Sequence, residues 1–230
     1  MDKIEASSIA GYVSILLWLI VFIPQLLENY KRKSGDGLSI VFLFVWLLGD
    51  IFNLIGIVME DLMFTMFLLA LWYTVADIGL IWQVIYYQQV TLYTKLKQEE
   101  SSNGSIDMAA KRSAFWINLV GSSVLITVVV ISCYAYNSDL FNDSDSTLSG
   151  LIGWASAVLY IGSRLPQIIK NWKAQSTEGL SSGMFICALF GNFSFTLSIF
   201  LKSTEKPYIL QNLPWIVGSL GTIIFDIMVK

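Results

Sequence analysis

The sequence predicts an all-α membrane protein of seven transmembrane helices, arranged as two parallel three-helix repeats joined by one linker helix (3+1+3). Three observations point there. Hydrophobic residues make up 55% of the 230-residue chain and charged residues only 13%, against roughly 25% charged in soluble domains. Seven apolar runs are each long enough to cross a bilayer, which takes about 20 residues of helix. The chain also repeats itself at a fixed offset of 142 residues, the signature of a duplicated architecture.

The runs lie near 9–30, 40–59, 63–88, 114–136, 150–171, 183–201 and 211–229. The first is read as a span and not a signal peptide, because MDKIEASS has no strongly basic start and no small-residue cleavage site follows. Residues 9–88 form the first triple-helix repeat, 89–113 a cytosolic linker, 114–136 the connecting helix, 137–149 a lumenal loop and 150–230 the second repeat. The polar stretch 95–112 is rich in Ser, Asn, Gly and charged residues and reads as flexible.

Orientation follows from the loop cations. Lys31, Arg32, Lys33, Lys95, Lys97, Lys111, Arg112, Lys170, Lys173 and Lys230 fall on one side, and Lys3, Lys202 and Lys206 on the other. The first side is expected in the cytosol, with the N-terminus lumenal and the C-terminus cytosolic. The acidic loop SDLFNDSDS then lies in the lumen and carries the glycosylation sequon Asn142-Asp143-Ser144. Tyr93-Thr94-Lys95-Leu96 fits a tyrosine-based sorting pattern on the cytosolic side.

Composition excludes several classes. The net charge of −3 offers no basic patch for nucleic acid. With no histidine and no CxxC pair, a Ser-His-Asp triad, a Cys-His pair and a His-ligated zinc site are all impossible. No phosphate-binding glycine loop is present. No enzyme, cofactor or metal site is therefore expected. Cys133 and Cys187 stand inside apolar runs and read as small hydrophobes.

The repeat carries the chemistry. FIPQLLENYKRKSGDGLS (22–39) matches RLPQIIKNWKAQSTEGLS (164–181). The same offset pairs Gly11 with Gly153, Gly49 with Gly191, Asp50 with Asn192, Tyr73 with Trp215 and Asp77 with Ser219. The odd linker span gives both triplets one direction in the membrane, so they are parallel repeats about an axis along its normal. Transporters of that symmetry hold substrate near the midplane between their halves.

Proline inside a helix removes a backbone hydrogen bond and bends the chain. Pro24 and Pro166 read as hinges or as static kinks; their recurrence at equivalent positions, each followed by a glutamine, favours hinges. Gln25 and Gln167 are placed to hydrogen-bond across a closed gate. Asp50, Asp77 and Arg164 lie within spans, where each charge costs roughly 2.5–3.5 kcal/mol and usually faces a cavity or a partner. Arg164 paired with one aspartate leaves a surplus carboxylate, suited to a cationic substrate, a proton, or both. Without histidine, proton coupling falls to carboxylates, with Asp77 as the proton-sensitive group and Asp50 as the substrate-facing one. Asn53 shares a helix face with Asp50. Tyr73, Asn212 and Trp215 complete the expected pocket, the two aromatic rings as cation-holding faces or as plain packing. Asp226 reads as a solvated end residue or a gate residue.

The doubled PQ motif, each copy followed by S-x-[DE]-G-L-S, resembles the PQ-loop family. FVWLLGDIFNLIG (44–56), WYTVADIGL (72–80) and NLPWIVGSLGTIIFD (212–226) make the chain similar, within that family, to the vacuolar and lysosomal cationic amino acid transporters of fungi and animals. The resemblance implies export of lysine, arginine and histidine from the lumen to the cytosol by alternating access through a lipid-embedded bundle, with protons as a possible second cargo. It implies a gate role for the PQ residues, and a pocket-lining role for Asp50 and Asn192, whose counterparts line the site in related sugar transporters. An Asp–Asn pair in place of two Asn argues against a neutral sugar. Other readings are a cystine or other small-solute carrier of the same family, and a transporter-like sensor signalling through a cytosolic partner. Seven spans also describe a G-protein-coupled receptor, but such receptors lack this repeat.

Overall fold

A computed structural model describes residues 2–59, 64–99, 104–138 and 146–229. The sequon at Asn142, most of the lumenal loop and Lys230 lie outside the described residues. Among those described, the chain is helical, with nine helices and no strand. Helix α1 (Lys3–Ile20) and α2 (Ile23–Arg32) lie within one 30-residue apolar segment. They are followed by α3 (Ile40–Met59), α4 (Phe64–Glu99), α5 (Gly104–Tyr136), α6 (Ser146–Ala174), α7 (Ser182–Lys202), the short α8 (Lys206–Gln211) and α9 (Leu213–Val229). Five segments are long and apolar enough to cross a membrane, namely Lys3–Arg32, Ile40–Met59, Met66–Gln98, Ile106–Tyr136 and Ser182–Lys202. The 17-residue α9 is apolar but shorter.

The two PQ prolines are not structurally equivalent. Pro24 stands in the first turn of α2, directly after the break at Val21–Phe22. Pro166 sits inside the unbroken α6. A missing N–H has interrupted one helix and been absorbed by the other.

The expected flexible linker is largely helical. α4 runs to Glu99 and α5 begins at Gly104. Both flanks are built from strong helix formers such as Leu96, Lys97, Gln98, Met108 and Ala109, and Lys97 joins Asp107 across the hairpin at 2.8 Å. Tyr93-Thr94-Lys95-Leu96 consequently lies within α4 and not on an extended strand.

Packing crosses between the repeats. α1 lies on α7 and α3 on α6, so the first helix of each repeat embraces the second helix of the other. α9 closes against α6 and α7, while α4 packs on α3. α5 packs on α4, where Gly121 lets the Trp82 ring approach: a Cβ there would fall 2.6 Å from it. The rest of α5 presents Phe115, Trp116, Val120, Ile126 and Ile131 outward, an apolar surface that suits lipid. The main core gathers Phe22, Leu38, Phe42, Trp46, Leu80, Val84 and Met184 beneath the two PQ loops.

Candidate functional site

The loop face of the bundle is built twice from one plan. Each PQ helix ends on a residue in the left-handed region, Lys33 (φ 52°) and Gln175 (φ 48°), 142 positions apart. After each, a serine hydroxyl caps a turn: Ser34 accepts the Asp36 N–H and Ser176 accepts the Glu178 N–H, both at 3.1 Å. The glutamines then reach across the molecule. Gln25 donates to the Gly179 carbonyl at 2.9 Å and accepts from the Ser181 N–H at 2.7 Å. Gln167 donates to the Gly37 carbonyl at 3.0 Å and accepts from the Ser39 N–H at 2.7 Å. Each amide is oriented by its own helix through Asn29 or Asn171, both at 2.8 Å. Every member of one clamp has its counterpart in the other at the same offset.

Where the loops meet, two glycines touch. A Cβ on Gly37 would fall 2.2 Å from the Gly179 carbonyl carbon, and Gly179 itself holds φ at +80°. Arg32 donates to Glu178 at 2.7 Å, and Lys170 donates to the carbonyls of Asp36 and Leu38. The closure therefore rests on buried amides at its centre and charged side chains at its rim.

Below it lies a buried polar cluster. On α3, Asp50 is buried and its Oδ1 accepts the Tyr160 hydroxyl at 2.8 Å, while Oδ2 has no hydrogen-bond partner. Tyr160 comes so close because Gly49 has no side chain: a Cβ there would meet its ring at 2.9 Å. Ser156 ties the same turn by donating to the Gly49 carbonyl at 3.0 Å. On α4, Asp77 is 0% exposed and neither of its oxygens has a hydrogen-bond partner. The charges of Asp50 and Arg164 both reach it.

Arg164 on α6 is 1% exposed. Its Nε donates to Asp226 Oδ1 at 2.9 Å, and its Nη1 donates to the Tyr160 carbonyl at 3.0 Å and to Ser163 Oγ at 2.9 Å. The Trp46 ring lies 4.6 Å from the guanidinium carbon. The ion pair of Arg164 is thus made with Asp226, and neither Asp50 nor Asp77 forms one. Asp226, at 3% exposure, is no solvated end residue.

The opposite repeat repeats this plan with softer chemistry. Asn192 donates to Thr222 Oγ1 at 2.9 Å. Trp18 fits over Gly191, where a Cβ would lie 3.0 Å from its Nε1. Tyr73 is half-buried against Trp18, with ring centroids 5.5 Å apart. Ser219 is buried on α9, and Asn53 is half-buried on α3.

Two expected pocket residues stand apart. Asn212 follows α8 and donates to the Tyr208 carbonyl at 2.9 Å. Trp215 is 44% exposed and stands in the first turn of α9, about three turns before Asp226. Tyr160, Trp18 and Trp46 were not singled out by sequence reasoning. The signal was available for two of them: the 142-residue offset pairs Trp18 with Tyr160, an aromatic facing a glycine in both repeats.

Comparison with known proteins agrees with this duplicated design. The PQ loop repeat model matches residues 6–66 and 148–208. The chain is 32% identical to the vacuolar lysine transporter of Saccharomyces cerevisiae, across 100% of this chain and 92% of that protein. It is 32% identical to the vacuolar histidine transporter of the same yeast, across 97% and 89%. It is also 32% identical to the lysosomal amino acid transporter 1 homolog of Homo sapiens, across 98% and 81%. Two family repeats, at the positions where the structure places two interlocking glutamine clamps, make this chain a member of the PQ-loop family.

Proposed function

We propose that this protein carries cationic amino acids across a vacuolar or lysosomal membrane, from the lumen to the cytosol, by alternating access. The observation that carries the reading is the imbalance of buried charge. Among the described residues, three aspartates and one arginine are buried in the bundle, and one aspartate is paired. Asp50 and Asp77 remain, with three carboxylate oxygens unpartnered. Buried unpaired carboxylates are costly, and a cation arriving between them removes the cost. Relatives named as lysine, histidine and arginine/histidine transporters support a basic substrate.

In this reading the helices form seven spans, 3+1+3, with 9–88 and 150–230 as the moving halves and 114–136 as the connecting span. The loop face is the cytosolic gate, held closed by Gln25 and Gln167. Bends at Pro24 and Pro166 open it. Asp50, Asn53, Tyr73, Asn192 and Ser219 contribute to the pocket, and Asp77 takes and releases a proton as the substrate moves. The C-terminus is cytosolic and the N-terminus lumenal.

The test is uptake of labelled arginine and lysine into liposomes containing the purified protein, with and without a proton gradient, beside Asp50→Ala. Uptake well above that of glucose and cystine, lost in the variant, is the expected result. Arginine binding without flux would replace the transporter with a sensor; absence of both would return the chain to neutral substrates.

A further inference from the structure

Arg164 is the one cation that is buried among the described residues. A guanidinium has five N–H donors. Here Nε serves Asp226, and Nη1 serves the Tyr160 carbonyl and Ser163. Nη2 makes no hydrogen bond among the described residues, and Asp226 uses only Oδ1, leaving Oδ2 buried and unpartnered.

The fold itself does not require a charge at this place. The positions equivalent to Arg164 and Asp226 in the first repeat are Phe22 and Val84, both fully buried in the apolar core. Replacing a well-packed apolar pair by a buried ion pair usually gains no stability. An ion pair in one repeat, where the other is apolar, points to a task beyond packing.

Its neighbours indicate the task. Tyr160 holds Arg164 through its carbonyl and Asp50 through its hydroxyl. One residue thus carries a guanidinium at one end and a carboxylate with a free oxygen at the other. An α-amino acid head group presents the complementary pair, a carboxylate and an ammonium. We infer that Arg164 receives the α-carboxylate of the substrate through Nη2, while Asp50 receives its ammonium. Asp226 compensates the guanidinium charge, so an anion without an ammonium gains little. Trp46 and Ser163 fix the guanidinium plane, which suits the directional recognition of carboxylates. This inference rests on the amino acid substrate proposed above and adds the part of the molecule that is recognised.

Arginine amide is the discriminating probe, because it keeps the side chain and the α-ammonium and lacks the carboxylate. In competition against labelled arginine bound to the full-length protein in nanodiscs, the amide is expected to compete at least about tenfold more weakly than arginine. In the double variant Arg164→Phe/Asp226→Val, which copies the first repeat, arginine and its amide are expected to compete equally. Equal competition on the native protein overturns the carboxylate role and leaves cation transport standing. A double variant that keeps the native preference overturns it too. If native protein binds neither compound, the transport reading fails together with this one. Should the double variant not fold, the native competition decides alone.

Discussion

Arg164 and Asp226 show how much one position can differ between two copies of the same fold. Their counterparts Phe22 and Val84 are core residues, so the two repeats share a backbone plan and divide the chemistry between them. Removing one partner strands a buried charge. Arg164→Ala is expected to destabilise the protein by about 3–5 kcal/mol, read as a lowered unfolding temperature in detergent. The double Arg164→Phe/Asp226→Val change should restore most of that loss; equal damage in both variants would count against an apolar-compatible site. Tyr160→Phe strands Asp50 Oδ1 instead, at a cost of about 1–3 kcal/mol. Its arginine affinity should fall while expression and monodispersity are kept. Unchanged arginine affinity would remove Tyr160 from the site.

At the scale of elements, the two clamps make a symmetric closure. Gln25 and Gln167 each tie a helix of one repeat to the loop of the other with two hydrogen bonds. Gln25→Ala and Gln167→Ala should therefore speed backbone hydrogen exchange at Ser181 and Ser39 respectively, to similar degrees. A change at one loop alone would mean that the symmetry is geometric and not energetic. Gly37→Ala acts differently, because its Cβ would run into the Gly179 backbone, which cannot rotate away as a side chain can. That variant is expected to hold the loop face open, measured as labelling of a cysteine placed at Ser39, which is buried here. Ser39→Cys labelling no faster with Gly37→Ala than without it would show that the loops accommodate the methyl by shifting together.

Across the whole molecule, cohesion comes from the crossed packing of α1 on α7 and of α3 on α6. The connection between α4 and α5 adds covalent continuity but is not what holds the halves together. A protease site placed between residues 99 and 104, once cut, should leave two fragments that co-purify in mild detergent. Separation on cutting would show that the connection, and not the interface, maintains the bundle. The described residues on both sides of that connection are helical and joined by Lys97 and Asp107, although their composition is rich in polar residues. Composition reports solvation, whereas helix continuity depends on propensity and on growth from a helix already nucleated in the apolar segment.

The apolar runs, the doubled motif and its constant offset were enough to establish a helical membrane protein with two PQ-loop repeats. Those properties are written in hydropathy and spacing, which need no partner to be read. The glutamines were legible as polar residues beside the repeated prolines, but their partners were not, because the Gly37, Ser39, Gly179 and Ser181 backbones come within reach only when the repeats interlock. Pairing within the buried cluster was beyond the sequence for the same reason. Arg164 was expected to pair with Asp50 or Asp77, and helix positions fix which residues share a face, not which helix that face meets. The packing of α9 on α6 selected Asp226, and the glycine at 49 admitted Tyr160 to Asp50. Sequence placed Asp50, Asp77 and Arg164 within apolar spans; tertiary structure alone decided that Asp226 is buried with them and that it, and neither Asp50 nor Asp77, pairs with Arg164, because pairing depends on which helix faces meet.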